Sequence, residues 1–113
     1  MNSFKKNIYR TETEDVILPP ATPVNFRKTG YTPGINEISL AWDANVDIIS
    51  GYKIYISDNG GAFTLWHTKS AVTTSSTDPL PLIGHTYTLK MTAYNITTGL
   101  ESGFSGTVTQ VTS

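Results

Sequence analysis

The sequence predicts an all-β chain: a seven-stranded sandwich of two antiparallel sheets behind an extended N-terminal arm. Three observations carry that prediction. Apolar residues recur at every second position through most of the chain, the period at which side chains alternate between the two faces of a strand. Gly, Pro, Asn and Asp separate those runs, where tight turns need them. No segment repeats apolar residues at helical spacing, and a tryptophan falls early in one apolar row, as expected for the plug between two packed sheets.

Residues 1–18 read as the arm and residues 19–113 as the domain. In the arm, Phe4, Ile8, Tyr9 and the run Val16-Ile17-Leu18 are apolar but follow no sustained period. Two readings stay open: a terminus with nothing to order it, or an arm that docks on a partner with Phe4, Ile8 and Tyr9 as anchors. Pro19, Pro20 and Pro23 then exclude a helix and mark the boundary.

Beyond it, Val24 and Phe26 alternate with polar neighbours as a first strand, and Thr29-Gly30-Tyr31-Thr32-Pro33-Gly34 reads as a turn. Ile38, Leu40 and Trp42 form one inward row, and Tyr52, Ile54 and Ile56 the next. Asp58-Asn59-Gly60-Gly61 accepts the positive φ that a tight hairpin demands. Residues 62–69 return as a strand, with Phe63, Leu65 and His67 on one face and Thr64, Trp66 and Thr68 on the other. Residues 70–78 are polar and β-branched, a loop with an edge strand. Tyr87, Leu89, Met91 and Ala93 make the longest inward row, residues 95–106 read as loop and turn, and residues 107–112 supply a last strand carrying Val108 and Val111.

At 113 residues the chain has room for one domain. Its formal charge of -1, from 8 Lys+Arg and 9 Asp+Glu, lacks the basic field of a nucleic-acid binder. With no cysteine, disulfides and thiolate chemistry are excluded. No run approaches the roughly 20 apolar residues of a membrane-spanning helix, so no membrane insertion is expected. The polar residues after Lys5 and Lys6 show no signal peptide, and the expected route is synthesis in a cytoplasm followed by a place on a virion or cell exterior after assembly or lysis.

Particular stretches resemble the fibronectin type III family. They are Pro20-Ala21-Thr22-Pro23-Val24-Asn25-Phe26, Ile38-Ser39-Leu40-Ala41-Trp42, Gly51-Tyr52-Lys53-Ile54-Tyr55, the long run from Leu82 to Asn95, and Glu101-Ser102-Gly103-Phe104-Ser105. The resemblance covers residues 20–113 and implies an immunoglobulin-like fold. It places Trp42 between the sheets and Tyr87 at the tyrosine corner, its hydroxyl bonded to backbone of the preceding loop. The segment from Leu82 to Tyr87 is about one residue shorter than the family's usual pattern, and His85 stands where threonine is common. There is no Arg-Gly-Asp triplet, and the family shares no active site.

No catalytic set is legible. His67 and His85 have no second ligand at metal-binding spacing. Asp43, Asp47 and Asp58 suit turns better than calcium, which needs more oxygen ligands. No enzyme activity, cofactor or metal is expected. Asn95-Ile96-Thr97 is formally a glycosylation acceptor, but with no signal peptide expected, no glycosylation is expected there. The informative residues are the aromatics that alternation turns outward: Tyr55, Trp66 and Tyr94, with Tyr31 and Phe104 in turns. Such residues make recognition patches, although tyrosine also serves β propensity on outer sheet faces. Two function classes follow. One is a structural protein that docks on a large oligomeric assembly such as a virion, through the arm or the aromatic face. Its virion setting rests on resemblance to single domains of bacteriophage structural proteins. The other is a carbohydrate-binding or adhesion module that reads a surface glycan.

Overall fold

The computed structural model describes residues 17–113; Phe4, Ile8 and Tyr9 lie outside the described residues. Eight strands run in order: β1 Arg27–Thr32, β2 Glu37–Ala41, β3 Gly51–Asp58, β4 Thr64–Ser70, β5 Ser75–Pro79, β6 Thr86–Asn95, β7 Leu100–Glu101 and β8 Val108–Val111. They form two antiparallel sheets, β1-β2-β5 and β4-β3-β6-β7, with β8 also paired to β6. No helix occurs among the described residues.

The alternation expected of half-buried strands fills the space between the sheets. Ile38 and Leu40 from one sheet meet Tyr52, Ile54, Tyr87, Leu89, Met91 and Ala93 from the other, all nearly or wholly buried. Trp42, just past β2, packs edge-on against Tyr52 at 5.6 Å and tilted against Phe26 at 6.3 Å. Its Nε1–H donates to the Thr73 carbonyl at 3.0 Å, so the plug buries no unpaired donor. Tyr87 sits at the corner: its hydroxyl accepts the Leu82 N–H at 3.1 Å. The shorter spacing before Tyr87 therefore leaves the corner bond intact.

Four expectations need correcting. The first strand begins at Arg27, later than expected, because Asn25 has a φ of 59° and breaks the extended run; Val24 is left exposed while Phe26 enters the core. Residues 29–32 belong to β1, with a register shift between Lys28 and Gly30, and the turn is confined to residues 33–36, where Gly34 and Asn36 supply φ values of 90° and 57°. Val111 faces solvent, and Thr112 is buried instead. Residues 95–106, expected as loop and turn, contain the two-residue strand β7 ahead of β8, which accounts for eight strands where seven were expected. Between β7 and β8, the Ser102 and Ser105 hydroxyls accept the amide N–H groups of Ala93 at 2.9 Å and Met91 at 3.0 Å. The Ser102 and Ser105 amides donate to the Ala93 and Met91 carbonyls in return. Two serines thus satisfy β6 where no ladder partner runs beside it, and the bent chain carries Phe104 onto the outer face.

Candidate binding face

The site is the outer face of the larger sheet. With Tyr52 and Ile54 buried in the core, Lys53 and Tyr55 on β3 must point the other way. Cross-strand pairing sets Gly51 beside Tyr94, Lys53 beside Thr92 and Tyr55 beside Lys90 on β6, while Tyr94 pairs with Glu101 on β7. On the far side, Tyr55 faces Leu65 of β4.

Glu101 organises the centre. Its Oε2 accepts the Tyr55 hydroxyl at 2.5 Å and the Thr92 hydroxyl at 2.7 Å, and its Oε1 lies 3.2 Å from Lys53 Nζ. Thr92 is 1% exposed although it lies on the outer side, so these groups form a small polar cluster sealed on top of the sheet. Partial burial raises the Glu101 carboxyl, but the bonds from Tyr55, Thr92 and Lys53 outweigh it and hold the group below its ordinary value. Burial, then the hydrogen bond and the charge of Glu101, push the Tyr55 hydroxyl up to about 12.

Beside this cluster runs an aromatic strip. Tyr55 meets the Phe104 ring edge-on at 5.2 Å. The Lys90 ammonium lies 3.6 Å from the centre of the Phe104 ring and 4.0 Å from that of Phe63, held between two rings. Each such contact contributes about 0.5–1 kcal/mol at an exposed site. Phe63 is half-buried, whereas Leu65 and Phe104 are exposed, so a strip with fixed geometry still offers apolar surface. At the other end, Lys53 Nζ lies 5.0 Å from the centre of the Tyr94 ring. A depression of about 220 Å³ opens there, lined by Lys53, Tyr94, Ile96, Leu100 and Glu101 among others.

The structure brings Tyr55 and Tyr94 to this face and leaves Trp66 off it. Pairing of β3 passes from Ile54–His67 to Tyr55–Leu65, so Trp66 is the extra residue of a bulge. It packs half-buried against the core with its ring 4.3 Å from that of His67, which answers the expectation of an outward tryptophan with a correction. Tyr31 lies in β1 and not in a turn; its hydroxyl donates to Asn36 Oδ1 at 2.6 Å. Lys53, Phe63, Lys90 and Glu101 were not singled out from sequence. The one local signal was the polar phase of β3 and β6, opposite their core rows.

The histidines stand apart from the face. His85 Nδ1 lies 2.7 Å from Asp58 Oδ1, and His67 Nε2 lies 3.7 Å from Asp78 Oδ1, which Lys69 Nζ also approaches at 3.1 Å. No group of three or more metal-ligating side chains occurs among the described residues. Other exposed apolar residues, Val46 and Ile48, lie on the loop between β2 and β3.

No family model and no curated protein matches the chain. Solved structures do. A fibronectin type III-like protein from Clostridium thermocellum is similar over 85% of this chain and 97% of its own, at 23% identity and a TM-score of 0.65. The twitchin kinase region from C. elegans is similar over 83% of this chain and 17% of its own, at 15% identity and a TM-score of 0.71. A β-1,2-glucanase from Parabacteroides distasonis is similar over 86% of this chain and 13% of its own, at 25% identity and a TM-score of 0.69. With the corner tyrosine, the buried Trp42 and the strand order above, these likenesses show that the chain has the fibronectin type III fold.

Proposed function

We propose that the chain is a non-catalytic binding module that docks on a protein partner through the outer face of its larger sheet. The observation that carries this reading is the Phe63–Lys90–Phe104–Tyr55 strip, fixed by ring–ring and ring–cation contacts before any partner arrives. Rigid aromatics lose little side-chain entropy on binding, and Tyr and Phe are favoured at the centres of interfaces. The partner we favour is a large oligomeric assembly such as a virion surface, with the chain exposed on the exterior. A second contact linked to the face through the arm would raise a modest single-site affinity. Phe4, Ile8 and Tyr9 would add a second anchor.

The experiment is native mass measurement of the purified chain, alone and mixed with the large-particle fraction of its source lysate. Wild type is expected to move into the large complex, Tyr55→Ala/Phe104→Ala to stay behind, and the chain lacking residues 1–18 to fold but bind less. Unaltered co-migration of the double variant would remove the face from the proposal.

A further inference from the structure

The depression beside Tyr94 has a chemistry of its own, distinct from the docking strip. Tyr94 lies across Gly51: a Cβ on that glycine would come within 3.1 Å of the ring and 3.2 Å of its hydroxyl. The glycine therefore lets the ring settle onto the sheet, where Ile96 and Leu100 extend an apolar wall. At the rim stands a matched ion pair with unused capacity. Among the described residues, Lys53 Nζ makes one hydrogen bond, to Glu101 Oε1, and retains two donors. Oε1 accepts from Lys53 alone, because Tyr55 and Thr92 both bond Oε2. One acceptor and one donor thus sit side by side, 3.2 Å apart, next to an aromatic ring.

We infer that this depression binds one neutral pyranose ring of a glycan. A vicinal diol matches the rim: one hydroxyl donates to Glu101 Oε1 while its neighbour accepts from Lys53 Nζ. The apolar C–H groups of the sugar rest against Tyr94 and Leu100. The two charges largely cancel at 3.2 Å, so the rim offers a donor and an acceptor with little net charge to draw an ionic ligand. About 220 Å³ is room enough for one sugar ring. Of the docking strip, Phe63, Lys90 and Phe104 take no part in this site, whereas Tyr55 shares Glu101 through Oε2.

The test is a titration of the chain with methyl β-D-glucopyranoside, followed by amide chemical shifts. Saturable shifts at Tyr94, Gly99 and Leu100 are expected, with a Kd on the order of 1 mM for a ligand of this size. Tyr94→Ala should abolish them, Lys53→Met should weaken binding about tenfold while keeping the apolar stem, and Phe104→Ala should leave it unchanged. The amide spectra of the free variants report whether each still folds. Absence of saturable shifts up to roughly 50 mM, far above that expected Kd, would overturn the inference, as would saturable binding that survives both Tyr94→Ala and Lys53→Met. Because no partner protein is present, either result leaves the docking proposal to its own test.

Discussion

Tyr55 donates its hydroxyl hydrogen to Glu101 Oε2 across 2.5 Å, joining β3 to β7 over the intervening β6. Their titrations set the pH limits of the face. Glu101 is held below its ordinary value of 4.5, so its contribution is present above that value and is lost as pH falls through the lower folded-state value. Tyr55 is raised from 10.0 to about 12, so its contribution is present below pH 10.0 and is lost as pH rises towards 12. Burial and the nearby Asp58 raise Tyr87 in the same direction. Urea midpoints measured against pH should therefore show a plateau that falls at both ends. Glu101→Gln should flatten the acid limb, and Tyr55→Phe should reduce the alkaline limb without abolishing it.

The buried tryptophan supplies a stability test. Trp42→Ala removes a 2%-exposed ring from between the sheets and should cost about 3–5 kcal/mol. Trp42→Phe keeps most of the volume but leaves the Thr73 carbonyl without its 3.0 Å donor. It should cost less, about 1–3 kcal/mol. Equilibrium unfolding in urea distinguishes the two, and equal losses would contradict the role given to the Nε1–H.

At the corner, Tyr87→Phe strips the acceptor from the Leu82 N–H while keeping the ring in the core. A loss of about 1–3 kcal/mol is expected, because the donor is left unpaired at a half-closed site. Hydrogen exchange at the Leu82 amide should accelerate beyond the global change. Unchanged exchange there would mean that the corner bond is not maintained in solution.

Gly51→Ala tests a close approach. The added Cβ would fall 2.5 Å from the Lys69 carbonyl oxygen, which belongs to the backbone of β4 and cannot swing aside. Displacement of β4 or Tyr94 should cost about 1–3 kcal/mol. A substitution within about 0.5 kcal/mol of wild type, the range of neutral surface changes, would contradict the geometry.

Much of the fold was legible because strands buried on one side write their burial into sequence with period two. Ile38, Leu40 and Trp42, then Tyr52 and Ile54, then Tyr87 through Ala93, all enter the core as the alternation indicates. Reading failed where the period breaks. Asn25 and the irregularity at Thr29 shift β1, and the bulge at Trp66 reverses the phase of β4, so a tryptophan expected outside lies against the core. The face was half legible: Tyr55 and Tyr94 announce themselves by phase. Phe63, Lys90 and the stretch carrying Glu101 and Phe104 converge from three separate segments, and only the sheet order brings them together.

Docking through the aromatic strip is tested by the native mass of Tyr55→Ala/Phe104→Ala beside wild type, each mixed with the large-particle fraction of the source lysate. Wild type is expected to co-migrate with the large species, and the double variant, still folded by its amide spectrum, to run as free chain. A folded double variant that co-migrates as fully as wild type, or a wild type that never leaves the free fraction, would contradict docking through the strip.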